Sequence, residues 1–291
     1  MNAHDQIRIS SKNKPEPVSF RSGEYKLNGE LFHPTQSPRA IVVINPATGV
    51  KASFYAEFAV WLCDNHGFAV LLYDYRDFGA SAFGHVKTSK AIMSDWGVHD
   101  AQAARDFAVF RFPNSPLLVI GHSLGGLCLP FQTGLNRIAR VITVCSGPVH
   151  TTDHPWPYQA KARLFWHGPV PLLASLAGYL PGKRLGVGPD LPIGVYKQWR
   201  KWCTSRSFFC DDFGTRLPYP DWHGLNAPIK FVAVSDDALV PASAVWRLMR
   251  CHLDAPKSQS VLRPSDFDLT DIGHISVFSA QSRAAWDALI A

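Results

Sequence analysis

The chain has 291 residues, 46% of them apolar and only 18% charged, which excludes a disordered protein and allows a sizeable core. Its formal charge of +6 is scattered, with no run of five basic residues and no nucleic-acid motif, so a nucleic-acid partner is not expected. No apolar run approaches the roughly 18 residues that span a bilayer, and the opening MNAHDQIRISSKNKPEP lacks an apolar h-region; the expectation is a cytoplasmic protein without stable membrane insertion.

In chain order, residues 1–16 read as a polar arm. The stretch 17-PVSFRSGEYKLNGELFHP-34 alternates around Gly and Asn turn signals and predicts an antiparallel hairpin. The runs 40-AIVVIN-45, 68-FAVLLYD-74, 117-LLVIG-121, 140-RVITVCS-146 and 229-IKFVAVS-235 are short, β-branched and bounded by turn residues, as buried parallel strands are. Helical patterns fall at 52–67, closing on a glycine C-cap, and at 94–110 and 124–135, with two more at 242–253 and 275–290. This alternation predicts a doubly wound α/β sheet with right-handed crossovers. The rhythm breaks over 147–225, a region rich in Pro, Gly and aromatics that holds Trp156, Trp166, Trp199, Trp202 and Trp222. It shows no strand-like run, and helical patterns only at 157–168 and 194–205. Such an insertion predicts a helical lid over the carboxyl ends of the strands, where open α/β sheets bind ligands. The core is then 17–146 plus 226–291. The lid tryptophans either face a ligand or form the lid's own core.

The six cysteines show no CxxC pairing, and no Cys/His set has metal-ligand spacing; they read as reduced thiols and no metal is expected.

Ser123 sits in Gly121-His122-Ser123-Leu124-Gly125, directly after one predicted strand and before a helix. A sharp strand-to-helix turn lifts the hydroxyl to the top of the sheet, and crowded backbones there demand near-bare residues two before and two after. A serine N-cap fits the same pattern, so partners must decide. A serine nucleophile needs a base, and the base an orienting acid. On such a sheet the chain order is serine, acid, histidine. His150, His154, His167 and His223 precede the last strand able to present an acid, and His252 lies inside a helical pattern. His274, in 270-TDIGHISVF-278, lies in a Gly-containing loop after an extended segment. For the acid, 229-IKFVAVSDDALVP-241 ends on two carboxylates. Asp237, at the loop apex, is favoured over Asp236, with Asp271 a weaker candidate. Oxyanion donors are the N–H of Leu124 and one from Asn45-Pro46-Ala47-Thr48-Gly49, where Ala47 is preferred and Thr48 stands second.

With Ser123, Asp237 and His274 in order, the sequence resembles the α/β-hydrolase superfamily over about residues 20–290, and within it the serine-aminopeptidase-like and lysophospholipase-like hydrolases. The segment 74-DYRDFGAS-81 matches that group's Asp-x-Arg-Gly-x-Gly-x-Ser stretch except at Asp77, where glycine is usual. Asn45-Pro46 replaces the usual His-Gly, and NPATG is similar to the His-Ala-Leu-Thr-Gly of homoserine acetyltransferases. That keeps an acyltransferase with a non-water acceptor as the alternative, although the elbow GHSLGG differs from their GGSMGG, so hydrolysis leads. A non-catalytic ligand-binding member is the more distant alternative. Ser123 excludes the aspartate-nucleophile haloalkane dehalogenases and epoxide hydrolases, and no cysteine falls on the elbow.

The resemblance implies an α/β-hydrolase fold with an inserted helical lid. It further implies a serine hydrolase that cleaves an ester, thioester or amide through an acyl-enzyme, with no cofactor. The lid aromatics suggest a small-molecule acyl substrate of apolar or amphipathic character. Lys183, Arg184, Lys197, Arg200 and Lys201 beside them would suit a membrane-associated lipase. Homo-oligomerisation is left open.

Overall fold

A hairpin opens the described part of the chain, which is residues 14–291 of a computed structural model; the expected polar arm falls largely on residues outside it. Strands β1 (Glu16–Ser22) and β2 (Tyr25–Phe32) pair antiparallel around Gly23, whose φ of +60° suits the reversal. Then follow β3 (Ala40–Asn45), α1 (Ala56–His66), β4 (Phe68–Tyr73), α2 (Ala101–Arg111), β5 (Leu117–His122), α3 (Leu124–Leu127) and β6 (Ile138–Val144). A long excursion contains α4 (Tyr158–His167), α5 (Val170–Ala177), β7 (Tyr179–Leu180), α6 (Gly182–Leu185), β8 (Leu191–Pro192) and α7 (Ile193–Thr204). The chain returns through β9 (Ile229–Val234), α8 (Ala242–Leu248), β10 (Lys257–Leu262) and α9 (Trp286–Ile290).

Eight strands form one sheet in the order β1-β2-β4-β3-β5-β6-β9-β10, with β7 and β8 paired separately. From β4 to β10 all neighbours run parallel. The β-branched runs of β3, β5, β6 and β9 are buried because helices cover both faces. On one face, Phe58 and Trp61 of α1 pack on Phe278 and Trp286 with ring centroids 5.0–5.5 Å apart. The core on the other face, built on Tyr73, Tyr75 and Trp96, continues into Trp166, Tyr196 and Trp202 of the excursion. Polar ties secure that junction. Gln198 accepts from the Ser94 N–H at 2.9 Å and donates to the buried Asp212 at 2.8 Å, and Trp202 Nε1 donates to Asp212 at 2.7 Å.

Four local expectations differ from the fold. The helix expected over 124–135 is a single turn, α3, followed by a 3₁₀ turn at Leu129–Phe131; Pro130 has no N–H to continue it. Over 275–290 only α9 is α-helical, after 3₁₀ turns at Ser276–Phe278 and Ala280–Ala285. The excursion carries the short β7–β8 pair, where no strand was expected, and the helix α5. The sequence of α5, VPLLASLA, is apolar on every side and so has no period to betray it. Strand β10, KSQSVL, is a polar edge strand whose composition hides it.

The parallel order reverses between β3 and β5, so the loops after these two strands meet side by side at their carboxyl ends.

Candidate active site

Ser123 is held at φ +53° and ψ −113°, a region that L-residues rarely occupy and that costs about 1–3 kcal/mol. The surrounding glycines make this turn feasible. A Cβ on Gly121 would stand 2.5 Å from the Gly126 backbone, and one on Gly125 would stand 2.2 Å from Asn45 O. On Gly126 it would meet Ser146 Oγ at 2.4 Å. The Ser123 N–H donates to Val144 O at 2.9 Å, tying the elbow to β6, and the start of α3 lies directly beyond it.

The two carboxylates after β9 have separate partners. Asp237 Oδ2 lies 2.7 Å from His274 Nδ1, while its Oδ1 accepts the N–H groups of Leu239 and Val240 at 2.8 and 2.9 Å. Burial works against the Asp237 charge, but the facing His274 and these donors prevail and hold its carboxyl below the usual range. Asp236 instead accepts the N–H groups of Ile272 and Gly273 at 2.9 and 3.1 Å, and so fixes the loop that carries His274. Asp271 is only in reach of Gln281 at 3.4 Å. Among the described residues no hydrogen bond joins Ser123 Oγ to His274; such contacts often tighten only with substrate bound.

A buried chain of hydrogen bonds joins the three loops of the site. The Ala47 N–H donates to Tyr55 Oη at 3.0 Å, Tyr55 Oη lies 2.7 Å from His122 Nδ1, and His122 Nε2 lies 2.9 Å from His274 O. A carbonyl only accepts, so Nε2 carries the proton and the Tyr55 hydroxyl donates to Nδ1. Burial, then the neighbouring His274, pushes His122 down to about 3, so its ring is neutral. This network also bears on the two expected donors from the loop after β3. The Ala47 N–H is already spent on Tyr55, whereas Thr48, the second choice, borders the cavity beside Ser123 and Leu124.

Cys145, at φ +50° after β6, hydrogen-bonds Asp237 through its buried thiol, which burial pushes upward in pKa. Cys145, Asp237 and His274 therefore cluster, with ligand atoms within 4.8 Å of one another. Two ligands of a tetrahedral ion at ~2.0–2.3 Å stand well over 3 Å apart. The 2.7 Å contact between Asp237 and His274 is a hydrogen bond with no room for such an ion.

Above Ser123 lies a cavity of about 360 Å³. Helix α4 lines it at Tyr158, Lys161, Ala162, Phe165 and Trp166, positions of one helical face. Trp199, Trp202, Phe208 and Phe209 add aromatic wall, and His154, whose Nδ1 lies 3.1 Å from Ala238 O, adds a polar group. Three of the five excursion tryptophans thus border the cavity, while Trp156 is exposed. The segment 74–81 is structural: Asp74 accepts the N–H groups of Ala52 and Ala80, each at 2.7 Å. Asp77, the departure from the group's glycine, adopts φ +58° and accepts from Ser89 Oγ at 2.6 Å.

Tyr55, His122 and Cys145 were invisible as site residues in the sequence, and Asp236 entered only as a rival for the acid, not as the anchor of the His274 loop. His122 sits inside the elbow motif but precedes the serine, and Tyr55 lies in an ordinary helix start. Only the tertiary fold joins them.

This fold, with an elbow serine, a paired Asp–His and a cavity at the strand ends, defines an α/β-hydrolase, an enzyme of the hydrolase type. Residues 36–180 of the chain match the family model of serine aminopeptidase, S33. No curated protein matches it by sequence. Among solved structures it is similar to an esterase of Pyrococcus furiosus, with a TM-score of 0.59 at 15% identity, covering 95% of this chain and 88% of that one. It is also similar to 2-hydroxy-6-oxo-6-phenylhexa-2,4-dienoate hydrolase of Rhodococcus sp., with a TM-score of 0.56 at 17% identity, covering 95% of this chain and 96% of that one. An acylaminoacyl peptidase of Pyrococcus horikoshii has a TM-score of 0.58 at 13% identity over 95% of this chain, which spans only 40% of the peptidase. Among the described residues no helix is long and apolar enough to cross a membrane.

Proposed function

We propose that the protein is a serine hydrolase of carboxylic esters, thioesters or amides, with Ser123 as nucleophile, His274 as base and Asp237 as orienting acid. The observation that carries this reading is the buried Asp237–His274 pair at 2.7 Å beside a serine strained at φ +53°. With Asp237 accepting at Nδ1, Nε2 of His274 is the basic nitrogen. It takes the Ser123 proton as Oγ attacks the substrate carbonyl, then returns that proton to the leaving group. Water, activated by the same nitrogen, opens the acyl-enzyme and releases the free acid. The N–H groups of Leu124 and Thr48 stabilise the oxyanion, each worth about 3 kcal/mol. Asp237 stays ionised and supports the imidazolium formed on the way.

Residues 147–225 act in this reading as a lid over the core. The aromatic cavity beneath it suits an apolar or amphipathic acyl group, and its volume lies at the small-molecule end of ligand sites. An ester panel of increasing acyl length, run on the wild type and on Ser123→Ala, tests nucleophile and pocket together. Rates should rise with chain length until the acyl group outgrows the cavity, with free acid as product and no turnover by the variant. Unchanged turnover by Ser123→Ala sinks the nucleophile, and acyl transfer to an added alcohol or amine in place of free acid sinks hydrolysis.

A further inference from the structure

We propose that helices α4 and α5 form a docking face for an anionic lipid bilayer, which the protein touches peripherally at the mouth of the cavity. The first observation is apolar exposure that no other described residue covers. Leu164 of α4 is 63% exposed, and Leu172 and Leu176 of α5, four residues apart on one helical face, are 64% and 75% exposed. The opposite side of α5 is anchored through buried Val170 and Ala174, so these leucines point outward from a fixed base.

The second observation is charge. From Pro155 to Pro189 the chain holds no Asp or Glu but carries Lys161, Arg163, Lys183 and Arg184. All four are exposed, and among the described residues none has an ion-pair partner. The flanking Asp190 accepts the Lys183 backbone N–H at 3.1 Å rather than a side-chain cation. By contrast Lys201 is paired with Asp212 and Arg200 Nε donates to Trp166 O, so the basic residues further along α7 serve the interior. Projecting leucines in an acid-free stretch that also carries exposed cations, without an ion-pair partner among the described residues, fit a fluid surface of apolar chains under anionic headgroups. They project from α4 and α5 without lining the cavity, so a bilayer suits them better than a partner needing a complementary groove.

The third observation is position. Lys161 and Val187 border the cavity and also reach solvent, so its mouth opens beside this face. Docking there would bring lipid-borne acyl groups to the cavity entrance, a consequence that rests on the hydrolase reading, whereas the docking itself does not.

The test is co-sedimentation of the full chain with vesicles of phosphatidylcholine alone and of equal parts phosphatidylglycerol and phosphatidylcholine, with hydrolysis of a water-soluble ester followed in parallel. Binding is expected to the anionic vesicles and to fall at about 0.5 M salt. Lys183→Gln with Arg184→Gln should weaken it by about fivefold per cation removed. Leu172→Ser with Leu176→Ser should lower it at least severalfold, while soluble-ester turnover, which reports folding, stays as in the wild type. No binding by folded wild type, or binding that neither pair of substitutions changes, overturns the proposal. So does a leucine-dependent dimer in sedimentation velocity without vesicle binding, which would make this face a contact between copies. If the ester is not turned over but anionic vesicles still bind, the catalytic reading fails and docking stands.

Discussion

Asp236 and Asp237 share a loop and a chemistry, yet they face different tasks, because the turn that follows β9, closed by the Asp237 N–H on Val234 O at 3.2 Å, sends the two side chains to different partners. Asp237 meets the imidazole; Asp236 holds the two backbone N–H groups just before it. Asp237→Asn should therefore lower kcat by roughly 10³–10⁴-fold with KM little changed, since the amide favours the wrong imidazole tautomer. Asp236→Asn should cost less than about tenfold, because one amide oxygen can still accept. Steady-state kinetics on the two variants decide; equal losses would contradict the division of roles. At this scale the sequence was informative about Ser123, His274 and the acidic pair, because chain order prunes candidates before any coordinates exist. It was blind to Ala47 against Thr48. That choice depends on the Tyr55 hydroxyl, which reaches Ala47 only through the packing of α1's leading turn against β5.

At the scale of elements, the elbow works because β5 runs into α3 without room for side chains. Gly125 lies against Asn45 O across the β3–β5 switch, where an added Cβ would overlap it at 2.2 Å. Gly125→Ala should force β3 and α3 apart, lowering Tm by roughly 5–10 °C and reducing ester turnover with it. A variant with wild-type Tm and activity would show that the contact relaxes freely. The core strands were legible as β-branched runs, and α1, α4 and α7 as periodic segments. The elements that were not legible lack such signals. Helix α5 is apolar throughout, β10 is polar, and α3 is cut short by Pro130 in a stretch whose composition still favours a helix.

Across the whole molecule, buried neutral histidines give stability a pH slope. Burial, then Lys257, pushes His252 down to about 4, and His122 is pushed to about 3. Unfolded, both return to a value near 6.5. Between ~6.5 and those folded values the unfolded chain binds more protons, so this part of the stability is complete above ~6.5 and is lost as pH falls. Among the described residues His252 Nε2 has no hydrogen-bond partner, so His252→Leu removes a titrating group and no hydrogen bond seen at that atom. Thermal melts at pH 7 and pH 5 should differ less for this variant than for the wild type. An unchanged difference would assign the acid sensitivity elsewhere. The continuity of residues 147–225 with one face of the core also belongs to this scale. The aromatic richness of residues 147–225 announced an insertion, but only the shared packing of Trp96, Trp166 and Trp202 shows that it is bonded into the molecule rather than hinged above it.

The central claim is that Ser123 is an activated nucleophile, and covalent labelling tests it most directly. Folded wild-type protein treated with a fluorophosphonate should gain a single adduct, mapped by mass spectrometry to the peptide containing Ser123. Labelling should slow markedly in Asp237→Asn and be absent in Ser123→Ala. A folded wild type that stays unlabelled, or carries its adduct on another residue, would contradict the account.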